Sequence, residues 1–362
     1  MPSGPGDAGA ARQVRRNYAL DLLRIVSITG VVAIHAFGQL AGNAAARGTP
    51  GGLAAAIIDI GFIWVVPVFV MISGTLSLSL NAQLPGPRRF YRRRILRLLP
   101  ALVFWHLAYL LAAHALVPGR ELSAGTVAAD VFNTRVAPHL YFLWLILGLY
   151  LVAPPLAWFL HRAGLRRAAV TTAAVQLLLL LVFAVQAWSI ASGGSWRFPW
   201  NILTQWIPYL GYFMAGWVLT QMRIPRGAAA AAGGAAAVLS AFNVWHWINR
   251  DSLPLLNIVT PSSYIGLGVA AAAIGVFVSA FHLLRGWQPG PRLGKALTAL
   301  SNAAFGVFLC HYLILLWLTF VVFPTETVPA FGLVALKFAL AAAGAFAVSL
   351  AAARIPWLRA VF

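Results

Sequence analysis

The chain has 362 residues, of which 61% are hydrophobic and only 9% are charged, and its mean hydropathy is +0.83. Soluble domains typically carry about 25% charged residues, so this composition excludes a water-soluble protein and indicates that lipid surrounds most of the surface. The net charge of +19 does not indicate nucleic-acid binding, because the Lys and Arg residues lie in short loops between apolar runs. The single cysteine, Cys310, excludes an internal disulfide and a cysteine metal cluster.

Ten apolar runs follow one another along the chain, and each is long enough to cross a bilayer. They are 18–40, 53–79, 95–117, 139–160, 168–190, 201–222, 227–247, 262–284, 300–323 and 329–353. We therefore predict an all-α, polytopic transmembrane helix bundle of about ten spans. The membrane domain, 18–353, lies between a basic cytoplasmic tail, 1–17, and a short cytoplasmic tail, 354–362. No small-residue cleavage site follows the first run, so it is predicted to be a span and not a removable signal.

The distribution of basic residues gives the predicted orientation. With the N-terminus in the cytoplasm, nineteen of the 26 Lys and Arg residues fall on the cytoplasmic side and five fall in the outer loops. This bias follows the rule that cytoplasmic loops are enriched in Lys and Arg. An even number of spans then returns the C-terminus to the cytoplasm.

The first span contains three ionisable side chains, which are costly inside a membrane and therefore indicate function. Asp21 and Arg24 are three residues apart and can pair along one helical face. Arg24 and His35 are eleven residues apart, which places them on the same face about 16 Å apart along the axis. A buried neutral imidazole can accept a proton from a hydroxyl group. The alternative is that His35 is a packing or hydrogen-bonded histidine.

An arginine cluster precedes the third span. Its members are Arg88, Arg89, Arg92, Arg93, Arg94 and Arg97. Six arginines in ten residues exceed what orientation requires, and guanidinium groups match phosphate geometry. The cluster therefore predicts a phosphorylated ligand on the cytoplasmic side. The alternative is anchoring to anionic lipid headgroups.

The outer halves of the spans carry weaker signals. His139, Tyr141 and Trp144 begin the fourth span, where aromatic residues form either a platform for a sugar ring or an interfacial belt. Asp59, in the outer half of the second span, either pairs with a basic group or lines a cavity. His311, in the ninth span, is of a type that is more often structural than catalytic.

The remaining patterns exclude several kinds of site. The eight histidines are scattered, with no His-Glu-x-x-His motif, and we expect no metal. The chain has no phosphate-binding loop, no dinucleotide glycine fingerprint and no Gly-x-Ser-x-Gly elbow. Lys337, within the last span, could extend to the interface or pair with an acid.

Four stretches together resemble a known family. They are 20–24 (LDLLR) followed by His35 in an Arg-x10-His spacing, 66–74 (VPVFVMISG), 94–100 (RILRLLP) and 301–311 (SNAAFGVFLCH). The combination resembles the acyltransferase 3 family of integral-membrane acyltransferases over essentially the whole chain. The amino-acid sequence of the fourth and sixth spans is most similar to the O-acetyltransferase branch of that family. Phe308 departs from the tyrosine expected at that position.

The resemblance implies transfer of an acyl group, commonly acetyl, from cytoplasmic acyl-CoA to a hydroxyl or amine, often on an extracytoplasmic glycan. The arginine cluster would hold the CoA phosphates while the pantetheine arm brings the thioester to His35. His35 would act as general base or carry the acyl group briefly. Arg24, held by Asp21, would position the donor or His35. The acceptor would meet His139, Tyr141, Trp144 and Asp59.

Two other functions remain open from the sequence. A transporter or flippase of a lipid-linked sugar or drug would share the spans and the buried charges, although no inverted repeat is detectable. A membrane scaffold would not need Arg24 and His35 on one face. The expected partners are acyl-CoA, a hydroxyl acceptor and membrane lipids, without nucleic acid, and homo-oligomerisation is left open. The Ala-, Gly- and Arg-rich composition favours a bacterium of high genomic GC content, and we expect a multi-pass protein of the bacterial cytoplasmic membrane.

Overall fold

The computed structural model describes residues 16–116, 123–325 and 327–362. Residues 1–15 of the predicted tail 1–17 lie outside these described ranges. Within these ranges the protein is all-helical and contains no strand. The α-helices are α1 (Tyr18–Gly42), α2 (Pro50–Gly61), α3 (Val65–Ser77), α4 (Leu80–Gln83), α5 (Pro87–Leu116), α6 (Ala124–Phe132), α7 (Tyr141–Ala163), α8 (Leu165–Ala191), α9 (Leu210–Gln221), α10 (Arg226–Ile248), α11 (Pro254–Val259), α12 (Leu267–Leu284), α13 (Pro291–Trp317) and α14 (Phe331–Ala352).

Nine of the described helical segments are long and apolar enough to cross a bilayer. The second combines α2 and α3 across a break near residues 62–64, and the eighth combines α13 with the π-helical turn Leu318–Val322. The protein is therefore an integral membrane protein built as a polytopic helix bundle. The orientation stays a prediction from the charges, so we call the two ends of the bundle the arginine-rich end, where Arg88–Arg97 lie, and the opposite end.

The predicted span 201–222 is the main departure from the sequence map. Only its second part is an α-helix, α9, which has 12 residues and a length of about 18 Å. This is shorter than the roughly 30 Å hydrocarbon core. Turns and a short 3₁₀ segment, Ile207–Tyr209, precede α9. Non-helical backbone is tolerated at membrane depth where protein surrounds it, and α9 is largely buried, packed on α3 and α8.

Two glycines allow α3 and α9 to pack with their backbones in contact. A Cβ atom at Gly74 would collide with the Phe213 carbonyl, and one at Gly216 would collide with the Met71 carbonyl. Thr75 reinforces the pair, because its hydroxyl donates to the Gly216 carbonyl at 2.8 Å. Small residues that let helices approach closely are a common basis of helix association in membranes.

Prolines in α7 create an acceptor for the helix that carries the arginine cluster. Pro155 has no N–H group, so the carbonyl of Leu151, four residues earlier, lacks its usual helical donor. The hydroxyl of Tyr91 donates to this carbonyl at 2.8 Å. Tyr91 lies within the arginine cluster, so this hydrogen bond fixes the beginning of α5 against α7.

The segment after α14 folds back onto the bundle. The indole N–H of Trp105, in α5, donates to the Val361 carbonyl at 2.8 Å. The Trp105 and Phe362 rings pack edge to face with centroids 5.3 Å apart. The last two residues of the predicted tail 354–362 therefore pack against α5.

Candidate functional site

A cavity of about 560 Å³ lies inside the bundle, and we call it the central cavity. Side chains from α1, α3, α5, α7 and α13 line it. Its lining includes Arg94 and Arg97 of the arginine-rich end, Arg24 of α1, and the imidazoles of His35 and His139. Its volume is within the range of sites that hold small molecules and cofactors. One chamber therefore joins basic groups to histidines.

The arginine cluster divides into two groups. Arg94 and Arg97 line the central cavity. The Arg94 guanidinium lies over the Tyr150 ring at 4.8 Å, and that of Arg97 lies 6.0 Å from the centroid of Phe305. Stacking on aromatic faces orients a guanidinium while leaving its N–H edge available for an anion. The exposed members outside the cavity lining are Arg88, Arg89, Arg92 and Arg93.

The beginning of α1 is tied to α13 by a polar network. Asp21 is held mainly by Arg16, whose Nε and Nη2 atoms donate to the two carboxylate oxygens at 2.6 and 2.9 Å. Arg24 is 4.0 Å from the same carboxylate and donates instead to the hydroxyl of Ser301 at 2.9 Å. The contact between Asp21 and Arg24 that the sequence predicted is therefore present, but it is longer than the contact between Asp21 and Arg16. Because Ser301 holds Arg24, the guanidinium is fixed at the cavity wall.

His35 meets two other histidines, which come from α13 and from the residues preceding α7. The ring centroid of His35 is 5.9 Å from that of His139 and 5.4 Å from that of His311. The His139 and His311 centroids are 4.9 Å apart. Tyr312 completes the group at 5.3 Å from His35. Among the residues that the structure describes, no set of three or more His, Cys, Asp or Glu is arranged to hold a metal ion.

The backbone of α13 fixes the tautomer of His311. Its Nδ1 lies 2.9 Å from the Val307 carbonyl and 2.8 Å from the Phe308 carbonyl. Carbonyl oxygens only accept hydrogen bonds, so Nδ1 carries the proton and Nε2 keeps a free lone pair. This Nε2 is buried and has no hydrogen-bond partner among the described residues. His311 thus presents an acceptor nitrogen in the histidine group.

Tyr109, in α5, hydrogen-bonds to two backbone groups of α13 beside this group. Its hydroxyl donates to the Leu309 carbonyl at 2.7 Å and accepts from the Leu313 N–H at 3.0 Å. These two backbone groups would bond to each other in a regular helix. The Tyr109 ring also packs on His139, with centroids 4.9 Å apart. Tyr109 therefore positions both His139 and the segment of α13 that carries His311.

The four residues predicted to meet the acceptor lie in different places. His139 and Tyr141 line the central cavity. Trp144 lies beside α5, where its indole N–H donates to Nε2 of His106 at 3.1 Å. Asp59 packs against Gly38, one helical turn beyond His35 on α1, and does not line the central cavity. The structure thus brings two of the four to the central cavity.

Sequence reasoning missed several residues that organise the site. Ser301 and His311 both lie in the stretch 301–311, so the motif contained them without assigning either a role. Tyr109 had no such signal, because its partners are backbone groups of another helix. Cys310 lies beside His311 in sequence but turns away toward Ser349 of α14.

Comparison with known proteins gives one finding. The family model for the acyltransferase domain Acyl_transf_3 matches residues 17–354, nearly the whole chain. No curated protein and no solved structure matches the chain. The matched range contains α1 to α14 and therefore the entire central cavity.

Proposed function

Because this chain belongs to the Acyl_transf_3 acyltransferase family, we propose that it moves an acetyl group from acetyl-CoA to a hydroxyl group of a glycan or small molecule. The observation that carries the proposal is the central cavity, in which Arg94 and Arg97 share one chamber with His35. The donor arrives at the arginine-rich end, which is the cytoplasmic side in the predicted orientation. The acceptor arrives at the opposite end of the bundle, on the outer side of a bacterial cytoplasmic membrane.

The donor site follows from the chemistry of CoA, which joins a polyanionic nucleotide to a long, thin and largely neutral pantetheine arm. Arg94 and Arg97 hold the phosphates at the arginine-rich end through charge-assisted hydrogen bonds. The pantetheine arm lies along the apolar walls that Phe69 and Phe142 provide. Arg24, fixed by Ser301, contacts the arm or its thioester partway along the cavity.

The transfer step requires one proton acceptor and leaves the enzyme unchanged. His35 takes the proton from the acceptor hydroxyl as the oxygen attacks the thioester carbonyl carbon. The tetrahedral intermediate collapses, the C–S bond breaks, and the CoA thiolate receives the proton from the His35 imidazolium. General-base catalysis of this kind contributes about 10²–10⁴-fold. The remaining rate enhancement comes from holding the two substrates in the attacking geometry.

His311 and His139 support the base without contacting the thioester. The free lone pair of His311 Nε2 has no partner among the described residues, and the His311 ring lies 5.4 Å from the His35 ring between centroids. In the proposed mechanism this lone pair accepts a hydrogen bond from His35 when the substrates are bound. A donor N–H on His35 that is held in this way leaves the other ring nitrogen free to act as base. His139 packs edge to face on both rings and limits their rotation.

The test compares two histidine substitutions in purified protein reconstituted into proteoliposomes. His35→Ala is expected to reduce acetyl transfer from acetyl-CoA to a hydroxyl acceptor by at least about 10²-fold while acetyl-CoA still binds. His114→Ala is the matched control, because His114 is exposed and does not line the central cavity. Normal transfer by His35→Ala would contradict the catalytic role. Movement of a lipid-linked sugar across the bilayer without consumption of acetyl-CoA would favour the transporter.

A further inference from the structure

His35 borders a second cavity on the side away from the arginine cluster. This pocket has a volume of about 40 Å³ and lies between α1, α13, the π-helical turn and α14. We call it the α1–α14 pocket. Its polar lining residues are Gln39, Tyr312, Thr319 and Lys337. The imidazole of His35 lines both cavities, so a molecule in the α1–α14 pocket reaches the base from the side opposite to the donor.

Lys337 lies at nearly the same depth as His35. It is six residues after the start of α14 at Phe331, about 9 Å along the helix. His35 is seven residues before the end of α1 at Gly42, about 10 Å along its helix. Both helix ends belong to the opposite end of the bundle. Lys337 therefore lies in the half of the bundle toward the opposite end, where it lines the α1–α14 pocket.

No acidic residue of the described ranges neutralises Lys337. The residue is only 6% exposed. The acidic members of the described salt bridges are Asp21, at the arginine-rich end, and Asp251, which pairs with Arg47. A buried cation without a counter-ion is costly, and such residues within spans characteristically face a substrate path. The missing counter-charge indicates an anionic ligand.

The π-helical turn forms one wall of this pocket. Thr319 and Phe320 belong to the segment Leu318–Val322, where the helical register changes. Single π-turns within helices frequently occur at functional sites. At about 40 Å³ the pocket accommodates a hydroxymethyl or carboxylate group but not a whole sugar ring. The bulk of a ligand therefore stays at the opening while its reacting arm extends toward His35.

We propose that the α1–α14 pocket binds the acceptor and selects molecules that carry an anionic group near the reacting hydroxyl, such as acidic sugars. Lys337 is the specificity-determining residue, and Gln39 and Thr319 supply neutral hydrogen bonds beside it. The assignment of the ligand as acceptor rests on the proposed acetyl transfer. The selection of anions by the pocket does not depend on acetyl transfer. Anion selection and the role of the ligand as acceptor are therefore tested in separate experiments.

The first experiment measures specificity in proteoliposomes with acetyl-CoA and two matched acceptors, methyl glucuronide and methyl glucoside. The wild-type protein is expected to have a KM about tenfold lower for the anionic acceptor. Lys337→Met should abolish this difference, whereas Lys337→Arg should keep it. An equal KM ratio in wild type and Lys337→Met would overturn the role of Lys337.

The second experiment requires no acetyl transfer. In a Cys310→Ala background, Gln39→Cys is labelled from the opposite end with a sulfonate-bearing methanethiosulfonate and with its trimethylammonium analogue. The anionic reagent is expected to react faster, and Lys337→Met should lower the ratio of the two rates about tenfold. An unchanged ratio would show that Lys337 does not attract anions into the pocket. Selective labelling without acetyl-CoA turnover would retain the anion site and reject the proposed function.

Discussion

The hydroxyl of Tyr109 donates to the carbonyl of Leu309 at 2.7 Å, inside a helix to which Tyr109 does not belong. The same oxygen accepts the N–H of Leu313 at 3.0 Å, so one side chain contacts both a carbonyl and an N–H that pair with each other in a regular helix. The two contacted residues lie two positions before and two positions after His311, which connects the packing of α5 to the geometry of the histidine group.

Tyr109→Phe tests this connection. The substitution removes both hydrogen bonds of the Tyr109 hydroxyl to α13 and is expected to shift His311. Loss of buried hydrogen bonds is expected to lower stability by about 1–3 kcal/mol, as measured by denaturant unfolding in detergent. If the role is positioning, kcat for acetyl transfer should fall more than KM for acetyl-CoA rises. A stability loss with unchanged kcat would assign Tyr109 a structural role alone.

The division of the arginine cluster predicts different effects for its members. Arg94→Ala with Arg97→Ala should weaken acetyl-CoA binding by about tenfold or more, because each removes a charge-assisted hydrogen bond to phosphate. Binding should also become less sensitive to salt. Arg88→Ala with Arg89→Ala is the control, since these side chains are exposed and outside the cavity. Equal weakening by both pairs in a calorimetric titration would indicate general electrostatic attraction.

The hydrogen bond between Arg24 and Ser301 predicts a graded pair of phenotypes. Ser301→Ala removes the acceptor but keeps the guanidinium, so the transfer rate should fall by about tenfold or less. Arg24→Ala removes the cation and should cause a larger loss. Acetyl transfer at saturating acetyl-CoA is the measurement. If Ser301→Ala were as damaging as Arg24→Ala, the serine itself would have to contact a substrate.

The fixed tautomer of His311 makes two substitutions distinguishable. His311→Gln can keep an acceptor oxygen near the former Nε2, whereas His311→Phe fills the space without one. The glutamine variant should retain more activity than the phenylalanine variant, and the pH profile of kcat should shift only in the latter. Both profiles are measured from about pH 5 to 9. Identical profiles would mean that His311 acts on His35 through packing only.

Hydropathy and helical periodicity predicted much of this molecule. The membrane class and the boundaries of most spans are local properties, since about 20 apolar residues are needed to cross a bilayer. The placement of Arg24 and His35 on one face depends only on 3.6 residues per turn. The structure of the segment 201–222 differed from the predicted span. Hydropathy counts apolar side chains and does not distinguish a full-length helix from turns followed by the short α9.

The sequence alone therefore determined that lipid surrounds this protein, where most of its helices lie along the chain, and which face of α1 is polar. The tertiary structure decided which arginines reach the central cavity, where Asp59 and Trp144 point, and which residues join His35. His139 and His311 come from distant parts of the chain, and Tyr109 bonds to the backbone of another helix. Such contacts depend on how helices cross and rotate against one another. Packing sets those angles, and no single helix encodes them.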